Sequence, residues 1–291
     1  MQAFDYLAPR SLAEVYGHLG NGKRSLLLAG GTDVIIQLRE DRKQCDQLID
    51  LKHVPELMTL RITADGTLEI GAATPLADIY SNPEVQRIFP GLVDAARIIG
   101  GTAVQSRASL GGNLCNASPA ADSSPALIAL GARLVIGSSS GTREIPVEEL
   151  FAGPGQNTLR AGEILLQVKV PPLGPKAASF YLRFIPRNEM DIAVASAGAR
   201  LQLNADGDRI VAARIALGAV AATPVLASAA AALLVGQAPT EEAFARAGEA
   251  AKAAASPITD MRGSAAQRSH LVSVLTVRAL RGALQRALEA R

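Results

Sequence analysis

Two glycine turns carry the residues whose types and spacing point most directly to chemistry. The first is Ala29-Gly30-Gly31-Thr32-Asp33. The second, Ser109-Leu110-Gly111-Gly112-Asn113, is followed by Ala117-Ser118-Pro119-Ala120-Ala121-Asp122. A pyrophosphate needs several donors at short range, and side chains at every position would hold the backbone away from it. Glycine removes that obstacle, so Gly30 and Gly31 can present amides at the start of a helix, and Gly111 and Gly112 can do the same from the opposite side. Ser109 and Asn113 offer side-chain hydrogen bonds, and Asp122 can accept from a ligand hydroxyl. Either turn alone reads more readily as a helix cap or tight turn, and Asp122 alone as the cap of the helix that follows it. Taken together, they predict a phosphorylated ligand held between two subdomains.

The two commonest nucleotide-binding patterns are missing: neither turn contains Gly-x-Gly-x-x-Gly or Gly-x-x-x-x-Gly-Lys-Ser/Thr. Among the 291 residues, 48% are hydrophobic and 19% charged, and the formal net charge is +2. That is the balance of a globular protein without the basic excess of a nucleic-acid binder. Aromatic residues make up 3% and Trp is absent, which removes base-stacking platforms. Cys45, Cys115, His18, His53 and His270 are scattered and form no zinc or iron–sulfur ligand pattern, so redox chemistry here calls for an organic cofactor. The first residues lack a basic region followed by an apolar one, and the longest apolar run, 225–235, is too short for a bilayer span. A cytoplasmic protein without a membrane span is expected. Without a secretory signal, the glycosylation sequon Asn116-Ala117-Ser118 is accidental.

The elements that must position these turns follow from periodicity. Ser11 to Glu14 has the form of a capping box and opens a helix over 12–19. An apolar run at 25–28 leads into the first turn, and Thr32 is expected to cap a helix carrying Val34, Ile35 and Leu38. A strand follows at 47–51. Asp65-Gly66 marks a hairpin between 61–63 and 67–70, and Thr74-Pro75 starts a helix. A helix is expected over 91–99, then a largely irregular stretch over 100–121, long enough to be functional. Ser124-Pro125 opens a helix ending at Gly131. A strand at 133–136, a hairpin near 138–141, a turn at 153–155 and a strand at 164–170 come next. The prolines of 171–178 mark a domain boundary. Beyond it, 192–203 and 209–220 form an antiparallel pair, and helices are expected over 224–235, 240–254 and from 264 onward. Arg268, Arg278, Arg281, Arg286 and Arg291 of the last helix read as an interaction surface or, more readily, as a solvated face with cations near the C-terminus.

Four ordered segments narrow the ligand: Leu27 through Asp33, Gln105 through Leu114, Ala117 through Asp122, and Arg187-Asn188-Glu189-Met190-Asp191-Ile192-Ala193. With Ser256 through Ser264 before the last helix, they resemble the FAD-binding medium subunit of the molybdenum hydroxylases, the xanthine dehydrogenase and carbon monoxide dehydrogenase family. The resemblance implies an α+β chain: a two-subdomain FAD-binding domain of the vanillyl-alcohol-oxidase type, then a smaller α+β domain with a short antiparallel sheet and helices. The boundaries expected are 1–175, with subdomains at about 1–57 and 58–175, and 176–291. By motif match, Ala29 to Asp33 and Ser109 to Asn113 contact the pyrophosphate and neighbouring atoms, and Asp122 a hydroxyl-bearing part of FAD. Leu165 and Leu166 fall on the strand that packs near the flavin in relatives. Arg183 aligns with a position that carries a lysine near the ring in some relatives. Planar and always charged, it would stack on or polarise the ring rather than exchange protons, with a surface arginine as the equal alternative. Some relatives place a tyrosine against the flavin where this chain has Ile192, which leaves the ring's packing partner open. Asp191 either structures its own loop or faces the ring, and the structural role is the one expected.

The same resemblance implies an electron-transfer subunit with no catalytic residue of its own. A large partner subunit would hold molybdopterin and a small one 2Fe-2S clusters, in a dimer of heterotrimers. Electrons would reach NAD, oxygen or another acceptor through the FAD of this chain. Two other readings stay open: an assembly scaffold without functional FAD, which intact glycine turns argue against, and a free-standing FAD oxidoreductase, disfavoured by the lack of a catalytic His, Cys or Tyr cluster.

Overall fold

In the computed structural model, which describes residues 2–187 and 190–290, the first glycine turn leaves a parallel sheet. Strands β1 (Asp5–Leu7), β2 (Ser25–Leu28) and β3 (Gln47–Asp50) pair in the order β1-β3-β2. Parallel neighbours need crossovers, which α1 (Leu12–Leu19) and α2 (Val34–Arg39) supply. α1 begins where the capping box places it: Ser11 Oγ accepts from the Glu14 amide at 3.3 Å. The helix is anchored by buried Val15. The start of α2 differs from expectation, for its N-cap is Asp33 rather than Thr32, and no side chain caps it.

A second, antiparallel sheet orders β4 (Leu60–Ile62), β5 (Leu68–Gly71), β6 (Arg133–Ser138), β7 (Gly141–Pro146) and β10 (Ile164–Val170) as β4-β5-β10-β6-β7. A small hairpin, β8 (Phe151–Gly153) and β9 (Gln156–Asn157), precedes β10. Both expected hairpins are present, at Asp65-Gly66 and at 138–141. Six helices separate β5 from β6: α3 (Leu76–Ser81), α4 (Pro83–Ile88), α5 (Pro90–Ala96), α6 (Thr102–Gln105), α7 (Leu110–Asn116) and α8 (Ser123–Leu130). The stretch 100–121 is therefore not largely irregular. Ser109 Oγ caps α7 through the Gly112 amide, and Leu110 and Leu114 are fully buried on it. Packing and a cap outweigh the poor helix propensity of two adjacent glycines.

The last sheet is antiparallel in sequence order: β11 (Ala177–Phe184), β12 (Ala195–Leu203), β13 (Ile210–Gly218) and β14 (Val225–Leu226). The region 224–235 is not one helix. Val225 and Leu226 pair with β13, leaving only α9 (Ser228–Ala232). α10 (Glu241–Ala251) and α11 (Ala265–Glu289) start at the side-chain caps Thr240 and Ser264 and pack with this sheet in one core. The expected solvated arginine face holds for Arg278 and Arg281, which are exposed, but not for Arg268 and Arg286. Arg268 is buried, and Arg286 pairs with Asp94 at 2.6 Å and stacks on Phe180, while Arg281 pairs with Glu241. Arg291 lies outside the described residues. Among the described residues no helix is long and apolar enough to cross a membrane.

α8 joins the two halves of the chain. All eight of its residues are buried, because the second sheet's core covers one side and β12 and β13 the other. Glycine permits the approach: a Cβ on Gly198 would lie 2.7 Å from the Pro125 carbonyl oxygen, and one on Gly218 3.1 Å from the Pro125 ring.

Candidate functional site

The two glycine turns meet. A Cβ on Gly30 would stand 2.2 Å from the carbonyl oxygen of Arg107, just before the second turn, so only glycine lets the two backbones touch. Gly31 has φ of +79°, a conformation that glycine adopts without strain. Between and beyond the turns lies a cavity of about 560 Å³, within the range of small-molecule and cofactor sites. Ala29, Gly30, Gly31, Thr32 and Asp33 line one part of it. Ser109, Gly111, Gly112 and Asn113 line another, and Asp122, Leu165 and Arg183 a third. Leu166 is not in the wall; it lies against Gly137, where a Cβ would come within 2.5 Å of its side chain.

The two turns offer different things. Among the described residues, no acceptor faces the amides of Gly30, Gly31, Thr32 or Asp33, so these four donors stand unused at the cavity. In the second turn the amides of Gly111, Gly112 and Asn113 are already engaged. Gly111 donates to the Ala72 carbonyl at 3.1 Å, Gly112 to Ser109 Oγ at 3.1 Å and Asn113 to the Ser109 carbonyl at 3.0 Å. Its contribution is side chains: the Ser109 hydroxyl proton, and the Asn113 amide nitrogen, whose companion Oδ1 accepts from Ser123 Oγ at 2.6 Å. Gly111 owes its lack of a side chain to packing, since a Cβ would sit 2.4 Å from the Ala72 oxygen. Gly112 is different. Its Cβ would meet only Ser109 Oγ at 3.2 Å and Ala29 Cβ at 3.9 Å, in the space between the turns.

Asp122 occupies the N-cap position of α8 but makes no capping bond. Its buried carboxylate instead accepts from Tyr181 Oη at 2.7 Å and Arg183 Nη1 at 2.5 Å. Burial pushes the Asp122 carboxyl up to about 6, against the pull of Arg183 and of both hydrogen bonds. Arg183 is thus no free surface arginine: it is 9% exposed, held by Asp122, and lines the cavity. Tyr181 is the residue that sequence reasoning missed. Period-two spacing on β11 puts it on the same face as Arg183, which was the available signal. Lys43 also lines the cavity, near Asp33, whose carboxyl is raised by burial and pulled back by Lys43 and Arg42. Cys115 is in the wall too, its thiol pushed up to about 12 by burial, which disfavours the thiolate. Asp191 folds its own loop, accepting from the Ile192 amide at 2.8 Å and Arg187 Nε at 3.1 Å. Asn188 and Glu189 of that motif lie outside the described residues.

Comparison with known proteins agrees with this architecture. A family model described as the FAD binding domain in molybdopterin dehydrogenase matches residues 2–173, and one described as the CO dehydrogenase flavoprotein C-terminal domain matches 180–283. The carbon monoxide dehydrogenase medium chain of Hydrogenophaga pseudoflava is 32% identical over 284 residues, covering 97% of this chain and 98% of that one. The putative xanthine dehydrogenase FAD-binding subunit of Escherichia coli K12 is 34% identical over 222 residues, 76% of this chain and 75% of its own. Among solved structures, carbon monoxide dehydrogenase from Hydrogenophaga pseudoflava superposes with a TM-score of 0.93 at 32% identity, covering 98% of both chains. Quinoline 2-oxidoreductase from Pseudomonas putida 86 does so at 0.91 and 32%, covering 99% of both. These likenesses bear out the α+β fold expected from the sequence.

Proposed function

Because this chain belongs to the FAD-binding medium-subunit family of the molybdenum hydroxylases, we propose that it is the electron-transfer subunit of such a complex, holding FAD in the cavity between its two glycine turns. It is an oxidoreductase subunit, and FAD is its cofactor. The residues present fit that group. Four unused amides in one turn suit a pyrophosphate, and the open side of Gly112 leaves it room. The Ser109 hydroxyl and Asn113 amide reach from the facing turn. Also in the cavity wall, Leu165 provides apolar surface and Arg183 a fixed positive charge for the ring. Asp122 keeps acceptor capacity for a ribityl hydroxyl while holding Arg183 in place. Bound FAD supplies the ability to take electrons singly or in pairs. We place the FAD-binding domain at about 1–175 and the C-terminal domain at about 176–291; the proline-rich connector between β10 and β11 supports that division.

In the complex, a small partner's iron–sulfur clusters deliver electrons to this subunit, which passes them to NAD, oxygen or another acceptor. The substrate is oxidised at the molybdenum cofactor of a large partner. The observation that carries this reading is the row of unpartnered amides from Gly30 to Asp33 at a cavity that both glycine turns line. An absorption spectrum of the purified chain tests it: flavin bands at one FAD per chain are expected, and a colourless folded protein would refute it. Purification from its native source tests the rest, with iron–sulfur and molybdenum subunits expected to accompany the chain. A lone chain with full oxidoreductase activity would refute the partnership.

A further inference from the structure

Beneath the first glycine turn lies a relay of polar side chains that the cofactor reading does not use. Asp50, the last residue of β3, is 3% exposed. Its Oδ1 accepts from Lys52 Nζ at 2.7 Å and from the Lys52 amide at 3.0 Å, and its Oδ2 from Tyr6 Oη at 2.6 Å. Burial alone would raise the Asp50 carboxyl, but the hydrogen bonds from Lys52 and Tyr6 outweigh it and hold the group below its ordinary range. The carboxylate therefore stays charged and fixes the ammonium. Lys52 Nζ then makes a second bond, also 2.7 Å, to the carbonyl oxygen of Ala29.

That oxygen belongs to the peptide unit that leads into Gly30. A trans peptide is planar, with its C=O and N–H pointing in opposite directions. A cation gripping the Ala29 oxygen on one side therefore aims the Gly30 amide to the other. It also polarises the peptide, making that amide a stronger donor. Gly30 needs such a fastening, because glycine resists few backbone rotations.

We propose that Lys52 is a positioning residue for the cofactor's pyrophosphate: held by Asp50 and Tyr6, it locks the Ala29–Gly30 peptide so that the first turn meets phosphate already oriented. This rests on the placement of the pyrophosphate at that turn. Losing one charge-assisted contact predicts a weakening of about 10- to 100-fold.

The test uses the full chain stripped of FAD, with Kd measured by flavin fluorescence for FAD and, in parallel, for riboflavin, which has no phosphate. Lys52→Met is expected to weaken FAD about 10- to 100-fold while leaving riboflavin binding unchanged, and to shift the 31P resonances of bound FAD. Lys52→Arg should restore most of the affinity. Lys52→Met combined with Asp50→Asn removes the carboxylate left unpaired and should behave as Lys52→Met does, which keeps the test valid if the single variant folds poorly. Wild-type FAD affinity in both variants would overturn the proposal. So would equal loss of FAD and riboflavin accompanied by a lower Tm of the stripped protein, the signature of a purely structural lysine. A wild-type chain that binds riboflavin as tightly as FAD would overturn the pyrophosphate placement itself, whatever Lys52 does.

Discussion

Among single residues, the glycines of the two turns divide by what a side chain would strike. On Gly30 or Gly111 a Cβ would collide with backbone, 2.2 Å from the Arg107 oxygen or 2.4 Å from the Ala72 oxygen. Gly111→Val is therefore expected to destabilise the whole chain, by about 3 kcal/mol or more, read by urea unfolding. Gly112→Val should remain folded and lose FAD, read as a normal melting curve with no flavin absorbance; a variant retaining one FAD per chain would exclude Gly112 from the phosphate site. The sequence alone suggests the same outcome for both glycines, since it carries no record of which one faces Ala72. Asp122 gives a prediction in pH. Its folded carboxyl, at about 6, lies above the unfolded value of about 4, so folding favours the protonated form. That contribution is complete below about pH 4 and is lost as pH rises through about 6. Wild-type protein stripped of FAD should lose about 2–3 kcal/mol relative to Asp122→Asn across that window. Urea midpoints at several pH values check this, and the reverse trend would mean that Arg183 outweighs burial. Both partners of Asp122 lie far from it in sequence, which is why its own neighbours suggested only a ligand contact or a helix cap.

Secondary-structure elements were legible where a local signal sufficed. The Ser11 box, the Asp65-Gly66 hairpin, the caps Thr240 and Ser264, and Gly131 after α8 each fixed one end of an element through a few adjacent residues. α7 was not legible, since two glycines depress its propensity and the packing of Leu110 and Leu114 is tertiary information. The same holds for Val225 and Leu226, which are drawn out of a helical pattern by pairing with β13. On α11, Arg268 looks like any other helix arginine. In the fold it donates to the carbonyls of Val194 at 2.6 Å and Ala219 at 2.9 Å, and to Asp260 at 2.8 Å. It thereby ties the helix to the start of β12 and the end of β13. Arg268→Met would leave the buried Val194 carbonyl and the half-buried Ala219 carbonyl without this donor, and should cost about 2–4 kcal/mol in urea unfolding. Faster hydrogen exchange at Ala193 and Val194 is expected with it, and unchanged exchange there would confine the effect to α11.

At the scale of the whole molecule, two expected features agree with the structure: an N-terminal half built around the glycine turns, and a C-terminal antiparallel sheet with helices. Hidden from the sequence was the way α8 serves both. It reads as a short helix between a loop and a strand, and only its lack of any polar face hints that both sides are covered. The full chain is expected to unfold in one calorimetric transition, and a fragment ending near residue 175 to expose α8 and bind a hydrophobic dye. Two separate transitions would show that the halves are independent. The shared helix also bears on inheritance. A helix with two inward faces belongs to neither neighbour, so the gene segments for the two sheets must travel together through recombination. A chimaera joined in the connector before β11 should fold only when its new C-terminal part brings glycine to the positions of Gly198 and Gly218, where Pro125 comes to rest. What looks like a pair of modules is then a single heritable unit.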